Sequence, residues 1–338
     1  MEVEHDIQKR ILDAIKLQLP KGEKIALVLQ DTLSLSQDAV YRRMRGDVPF
    51  TIYETKKICE TFKLSFDDYG ALKRGSVVFN YNPLESINFR FETWMTGLRD
   101  GLRMLRKLDG VEMMVSVDDT PIFQLFNQPH LMRFKVFFWA KTYLRLPEYE
   151  NTKFKDEKID KETMAIGIES LNIYNSVPSI EVYGPETLRG FLRQIEYYFD
   201  SHYFQDPAYA LTLLDSLYNF MEHMKAQAEA GRKFSYGNEV PNSGNEFKMY
   251  ANDTFLPDNT YLTKWKGGSS VYFTHNLMNY LFTSDPYYVS ESEAVLHRLV
   301  DNSSLISKEN VKQRERFFAG IERTISNFRR KVEAELEL

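Results

Sequence analysis

LSLSQDAVYRRMRG, residues 33–46, is the stretch whose reading decides the fold. Ser34 and Ser36 are both good N-caps, because a hydroxyl accepts from the free N–H groups of a first helical turn. Gly46 is a good stop, since it takes a left-handed backbone at little steric cost. A short helix over 36–45 is therefore expected. At about 100° per residue, Gln37, Asp38, Tyr41, Arg42 and Arg45 fall on one arc, while Ala39, Val40 and Met44 fall on the other. The second arc is apolar and small enough to pack on a neighbouring helix. The first is a fork of arginines with a glutamine and a tyrosine. Arginine pairs bidentately with guanine and glutamine with adenine, and cations offset phosphate charge, so such a helix suits a DNA major groove. The plainer alternative is a solvated surface helix. Arg43 lies on the core side and is expected to pair with a carboxylate such as Glu54, its stem buried.

The flanking residues build a bundle around this helix. Residues 4–18 carry Ile7, Ile11 and Ile15 at every fourth position, one buried helical stripe. Pro20 and Gly22 break it. Residues 23–32 form a second helix with Ile25, Leu27, Val28 and Leu33 inward. Pro49 and Thr51 open a fourth, whose Ile52, Ile58 and Phe62 close over the core. Ser65 to Tyr69 begins a fifth. Lys56, Lys57, Lys73 and Arg74 are candidate phosphate contacts, which position a module without reading sequence. Solvated lysines are the equally simple reading.

Residues 7–72 resemble the lambda-repressor-like (Cro-type) helix-turn-helix family. RGDVPFT, 45–51, is similar to the exit from that family's recognition helix, and FKLS, 62–65, to its closing segment. Two positions depart from the pattern. Met44 stands where the family carries an acid, and the connection between the second and third helices lacks the usual glycine. The resemblance implies a cytoplasmic transcription regulator whose partner is double-stranded DNA. Arg42, Arg45 and Gln37 would read base edges, Tyr41 a phosphate or thymine methyl, and Ser36 would orient at the helix N-terminus. The layout looks like that of regulators from Bacteroidetes-type bacteria with a large C-terminal domain. Such proteins usually read two half-sites, which implies a homodimer.

Composition sets the bounds. The chain has 338 residues, enough for two or three domains, and its 24 Phe and 20 Tyr favour thick packed cores. The net charge of −5 excludes a whole-chain nucleic-acid coat. Residues 1–75 hold 13 basic and 12 acidic side chains, and the remainder 30 and 36, so cations must act by local placement. There is no apolar run near the length of a membrane span, and the acidic start MEVEHD reads as no signal peptide. The single cysteine, Cys59, excludes an internal disulfide framework, fits a reducing cytoplasm and reads as a small core residue.

Beyond a linker at 75–86, residues 87–338 read as a larger α+β domain. Ile87 to Leu108 is a long helix, either internal or a coiled-coil seam between subunits. Pro129 to Leu144 is apolar all round and belongs in a core. Helices are also expected over 161–175, 185–199, 207–231, 290–300 and 308–336. Strands are expected at 111–117, 178–183, 247–250, 260–265, 270–274 and 280–283, and 122–126 is a strand or an extended loop. Lys266 to Ser269 is a hairpin turn. The fold class that follows is mainly α, with a five-helix helix-turn-helix domain over 1–74 and a small antiparallel sheet in the larger domain.

No catalytic, metal or cofactor constellation emerges. The six histidines are scattered, and none pairs at the i, i+4 spacing of a helical zinc site. Asp118 and Asp119 are adjacent, which favours a turn over catalysis. His275, Asn276, Tyr287 and Tyr288 are candidates to line a pocket. The expected function is DNA-binding regulation, with the larger domain dimerising, binding a small-molecule or protein effector, or both. The rivals are a protein-interaction module reusing the bundle and an enzyme in the larger domain.

Overall fold

The structure is a computed structural model and describes residues 2–19, 23–62, 64, 66, 77–82, 84, 89–156, 161–254 and 258–337. The chain divides into two compact units, Met1–Val78 and Phe79–Leu338.

The first unit contains α1 (Glu2–Gln18), α2 (Ile25–Leu33), α3 (Gln37–Arg45) and α4 (Ile52–Phe62). Its core gathers Ile11, Leu12 and Ile15 from α1, Ala26, Leu29 and Leu33 from α2, Val40 from α3, and Ile58 and Phe62 from α4. Two expected core residues are not there: Leu27 is 55% and Ile52 82% exposed. Helical phase explains both. The buried stripe of α2 runs through positions 26, 29 and 33, which leaves Leu27 off that face. Ile52 lies six residues before the buried Ile58, which turns it roughly 120° off that side. Of the expected fifth helix only Phe66 is described; Lys73 and Arg74 lie outside the described residues.

The second unit is built on one eight-stranded sheet in the order β1-β7-β6-β5-β2-β3-β4-β8. The strands are β1 (Asn80–Tyr81), β2 (Glu112–Val117), β3 (Ser179–Tyr183), β4 (Phe247–Ala251), β5 (Thr260–Trp265), β6 (Gly268–His275), β7 (Asn279–Thr283) and β8 (Ser304–Leu305). This corrects the small antiparallel sheet: β2, β3 and β4 are parallel neighbours. Parallel neighbours need long crossovers, and the helical stretches between 117 and 179 and between 183 and 247 supply them. Asn80 and Tyr81, within the expected linker, pair with Phe282 and Leu281 of β7.

The helices of this unit are α5 (Phe91–Arg106), α6 (Pro129–Phe138), α7 (Lys161–Ser176), α8 (Arg189–Asp200), α9 (Tyr209–Ala230), α10 (Pro286–Asp301) and α11 (Val311–Leu336). Residues 122–126, read as strand or extended loop, lie in a 3-10 helix, Ile122–Asn127, with every residue buried. The face of the sheet bearing Met113, Val115 and Val117 packs against Phe134, Phe191, Leu213 and Phe318 from the helices. The opposite face, with Met114, Val182, Leu262 and Val271, is covered by Val289, Leu296 and Leu299 of α10. Trp94, Leu98, Leu102 and Leu105 of α5 pack on the main core, so that stripe is internal. After α6 the helix widens into an i+5 turn over Trp139–Tyr143, with Leu144 N–H donating to Trp139 O at 2.8 Å.

An ion pair is sealed in this core. Glu181 of β3 and Lys233, which follows α9, are both fully buried, with Nζ 3.3 Å from Oε1. Ser179 and Tyr174 donate to Oε1 at 2.7 and 2.8 Å, and Tyr183 donates to Oε2 at 2.7 Å. Lys233 Nζ also lies 4.2 Å from the Tyr174 ring centroid. Burial pushes the lysine below its ordinary range, against the opposing pull of Glu181. Burial and then Glu181 drive Tyr174 and Tyr183 well above theirs, which keeps both as donors. Removing one member of a buried pair costs about 3–5 kcal/mol. Glu181→Ala is expected to reach that range, because it strands Lys233. Lys233→Met is expected to cost less, because Glu181 keeps its three hydroxyl donors. Denaturant unfolding of the two variants measures the order, and the reverse order would contradict this reading.

Candidate nucleic-acid interface

Three residues, Ser34 to Ser36, connect α2 to α3, and the two helices pack against each other. The connection without glycine is made by Ser34 itself, whose φ of 56° lies in the left-handed region. Ser36 caps α3, its hydroxyl accepting from Ala39 N–H at 3.4 Å. Gly46 ends it with φ 83°, its N–H reaching Arg42 O and Arg43 O. Both ends of a nine-residue helix are thus closed. That matters because a helix this short is marginal without caps and packing.

The orientation of α3 is fixed from its core side. Val40 is buried, while Ala39 and Met44 are half-buried. Arg43 donates through Nε to Glu54 Oε2 at 3.1 Å and through Nη1 to Ala39 O at 3.1 Å, and its Nη2 lies 2.9 Å from Glu54 Oε1. The Arg43–Glu54 pair expected from the sequence is therefore present. Glu54 also accepts from Thr51 N–H at 2.8 Å, and Thr51 Oγ1 accepts from Glu54 N–H at 3.2 Å. This reciprocal capping box at the start of α4 is joined through Arg43 to α3. Burial opposes the Glu54 charge, but the bonds from Thr51 and Arg43 prevail and hold its carboxyl below the usual range.

Gln8 of α1 adds a clamp that sequence reading missed. Its amide donates to Arg43 O at 2.6 Å and Val48 O at 3.2 Å, and accepts from Phe50 N–H at 2.8 Å. Nothing in the local sequence of α1 distinguishes Gln8 from a solvated glutamine. The TIYE run at 51–54 does carry the capping-box signature and could have been found.

Ser36, Gln37, Asp38, Tyr41, Arg42 and Arg45 are all exposed, as are Lys56 and Lys57. Gln37, Tyr41, Arg42 and Arg45 share the outer arc of α3. Arg45 pairs with Asp47 at 2.8 Å, both half in solvent. Such a pair is worth about 0–1 kcal/mol, so a phosphate or base edge displaces it cheaply. Lys56 lies 3.5 Å from Glu60 on the same helix. Asp38 in the first turn favours the helix N-terminus and repels phosphate. Cys59 is half-buried. Among the described residues no group of three or more metal-binding side chains converges. Nor is any helix among them long and apolar enough to cross a membrane. Compared with protein-family models, curated proteins and solved structures, the chain matches none.

Glu54→Gln tests the node under α3. A hydrogen bond to a charged group is worth about 1.5–3 kcal/mol, and a loss of that order is expected at neutral pH. A carboxyl whose folded pKa is depressed contributes stability above its unfolded value, lost as pH falls through the folded one. The deficit of the variant should therefore shrink on acidification below the ordinary Glu value of 4.5. Urea melts at neutral and acid pH measure it, and a pH-independent deficit would contradict a charged Glu54 here.

Proposed function

We propose that the protein is a sequence-specific DNA-binding transcription regulator that inserts α3 into the major groove. The observation that carries this reading is the exposed fork of Gln37, Tyr41, Arg42 and Arg45 on a helix capped at both ends and held from behind. In it Arg42, Arg45 and Gln37 contact base edges, Tyr41 a phosphate or thymine methyl, and Lys56 and Lys57 phosphates. Ser36 sets the helix N-terminus. A homodimer supplies two such helices, because one short helix gives too little affinity alone. The larger unit dimerises and senses an effector, and the protein works in the cytoplasm without catalysis. A second reading, a protein-interaction module, has its own support: Ile52 and Tyr53 lie bare at the start of α4, 82% and 83% exposed.

The test uses genomic DNA that co-purifies with the protein. Each bidentate arginine is worth about 1–3 kcal/mol. Arg42→Ala with Arg45→Ala should therefore weaken specific binding between about 30-fold and 20,000-fold in a gel shift. The melting curve should not change, since both side chains are exposed. Parent affinity should fall as salt rises, because phosphate neutralisation releases counterions. Unchanged binding by the double variant, or salt-insensitive binding by the parent, would overturn the proposal.

A further inference from the structure

A cavity of about 220 Å³ opens in the larger unit at the carboxyl end of β2. The sheet grows in two directions from this strand: β3 and β4 lie on one side, β5, β6 and β7 on the other. Ligands of open α/β sheets collect at such a reversal, outside the strands' carboxyl ends. The walls are aromatic. Trp94 and Trp139 meet edge to face at 5.4 Å, and Tyr261 and Tyr280 at 6.0 Å. Trp94 Nε1 donates to Met278 O at 3.0 Å, so its indole is fixed and its donor spent.

Lys135 is the unexplained group. It lines this cavity yet is only 5% exposed. An ammonium has three donors. Among the described residues one is used, on Gln194 Oε1 at 3.1 Å. Asp119 Oδ2 lies 3.7 Å away, close enough for an ion pair but too far for a hydrogen bond. The Trp139 and Phe191 ring centroids lie 5.5 and 5.3 Å from its Nζ. Buried charge is costly unless hydrogen-bonded, so Lys135 has capacity for an oxygen that the described residues do not provide.

The mouth has the opposite character. Asp118 and Asp258 are exposed there, and Asn259 Oδ1 accepts from the N–H groups of Asp118 and Asp119 at 2.7 and 3.0 Å, which fixes the turn. Burial, then the charges of Asp119 and Asp258, raise the Asp118 carboxyl above its ordinary value. Three carboxylates against one lysine repel a simple anion. A simple cation leaves Lys135 unsatisfied. The occupant must therefore carry both charges. A cavity of about 150 Å³ takes benzene, so this one suits a single small molecule.

We propose that the cavity binds a zwitterion of amino-acid size, its carboxylate on Lys135 and its ammonium toward Asp118, Asp119 and Asp258. Its role as an effector site rests on the sensing function proposed above; binding itself does not, and is measured without DNA.

The full chain is titrated calorimetrically with the proteinogenic α-amino acids and the linear ω-amino acids. At least one should bind tighter than about 1 mM. Its N-acetyl and amide derivatives, which each remove one charge, should bind at least about ten-fold weaker, about 1.4 kcal/mol. Lys135→Met should lose about as much. Should that variant misfold, Asp258→Asn, on an exposed side chain, and the two derivatives carry the test. No ligand tighter than about 1 mM, or affinity indifferent to removal of either charge, overturns the proposal. Ligand binding without DNA binding would remove the regulator reading and leave this site standing.

Discussion

The first unit depends on the ion pair between Arg43 and Glu54. A nine-residue helix has little stability of its own, and three of its residues are arginines. The pair turns one of them inward, where it ties α3 to the capping box that starts α4. The other two are then left outside. Because the pair is largely shielded, with side chains 14% and 15% exposed, it is screened less than a surface pair. Gln8 completes the restraint by satisfying the carbonyl at the end of the helix and the N–H of Phe50 beyond it. Rigid presentation of a few side chains is what base recognition needs, since bidentate contacts tolerate little angular error.

The second unit is organised by β2, the strand from which the sheet extends both ways. Its parallel side carries the buried Glu181–Lys233 pair, satisfied by hydroxyls. Its antiparallel side begins at Asn259, whose side chain locks the turn after β2. Two lysines are thus buried on one side of the same sheet with different outcomes. Lys233 has a dedicated carboxylate that also accepts from three hydroxyls. Lys135 has one amide oxygen and a distant carboxylate, and it faces a cavity.

Much of the first unit was legible because its signals are local. Ser36 and Gly46 bounded α3, and the charge of the helix separated its two faces. Errors arose where apolar character was read without phase, at Leu27 and Ile52. In the larger unit six of the eight strands were found, the two-residue β1 and β8 were missed, and orientation was not legible: a run such as EMMVSV, 112–117, carries no record of whether its neighbour runs parallel. Glu181 alternates with Ile180 and Val182, a pattern that suggests a wet face, yet both faces of β3 are covered. Its lysine lies 52 residues away. The cavity draws on side chains from Trp94 to Tyr280, so no single stretch reports it.

The most direct measurement is methylation interference on the bound genomic fragment. Methylating guanine N7 fills the major groove at one base and leaves the minor groove open. If the arginines of α3 read that groove, modification at a few guanines, in two clusters about one helical turn apart for a dimer, excludes those fragments from the complex. Specific binding that survives methylation of every guanine in the site would contradict recognition by α3.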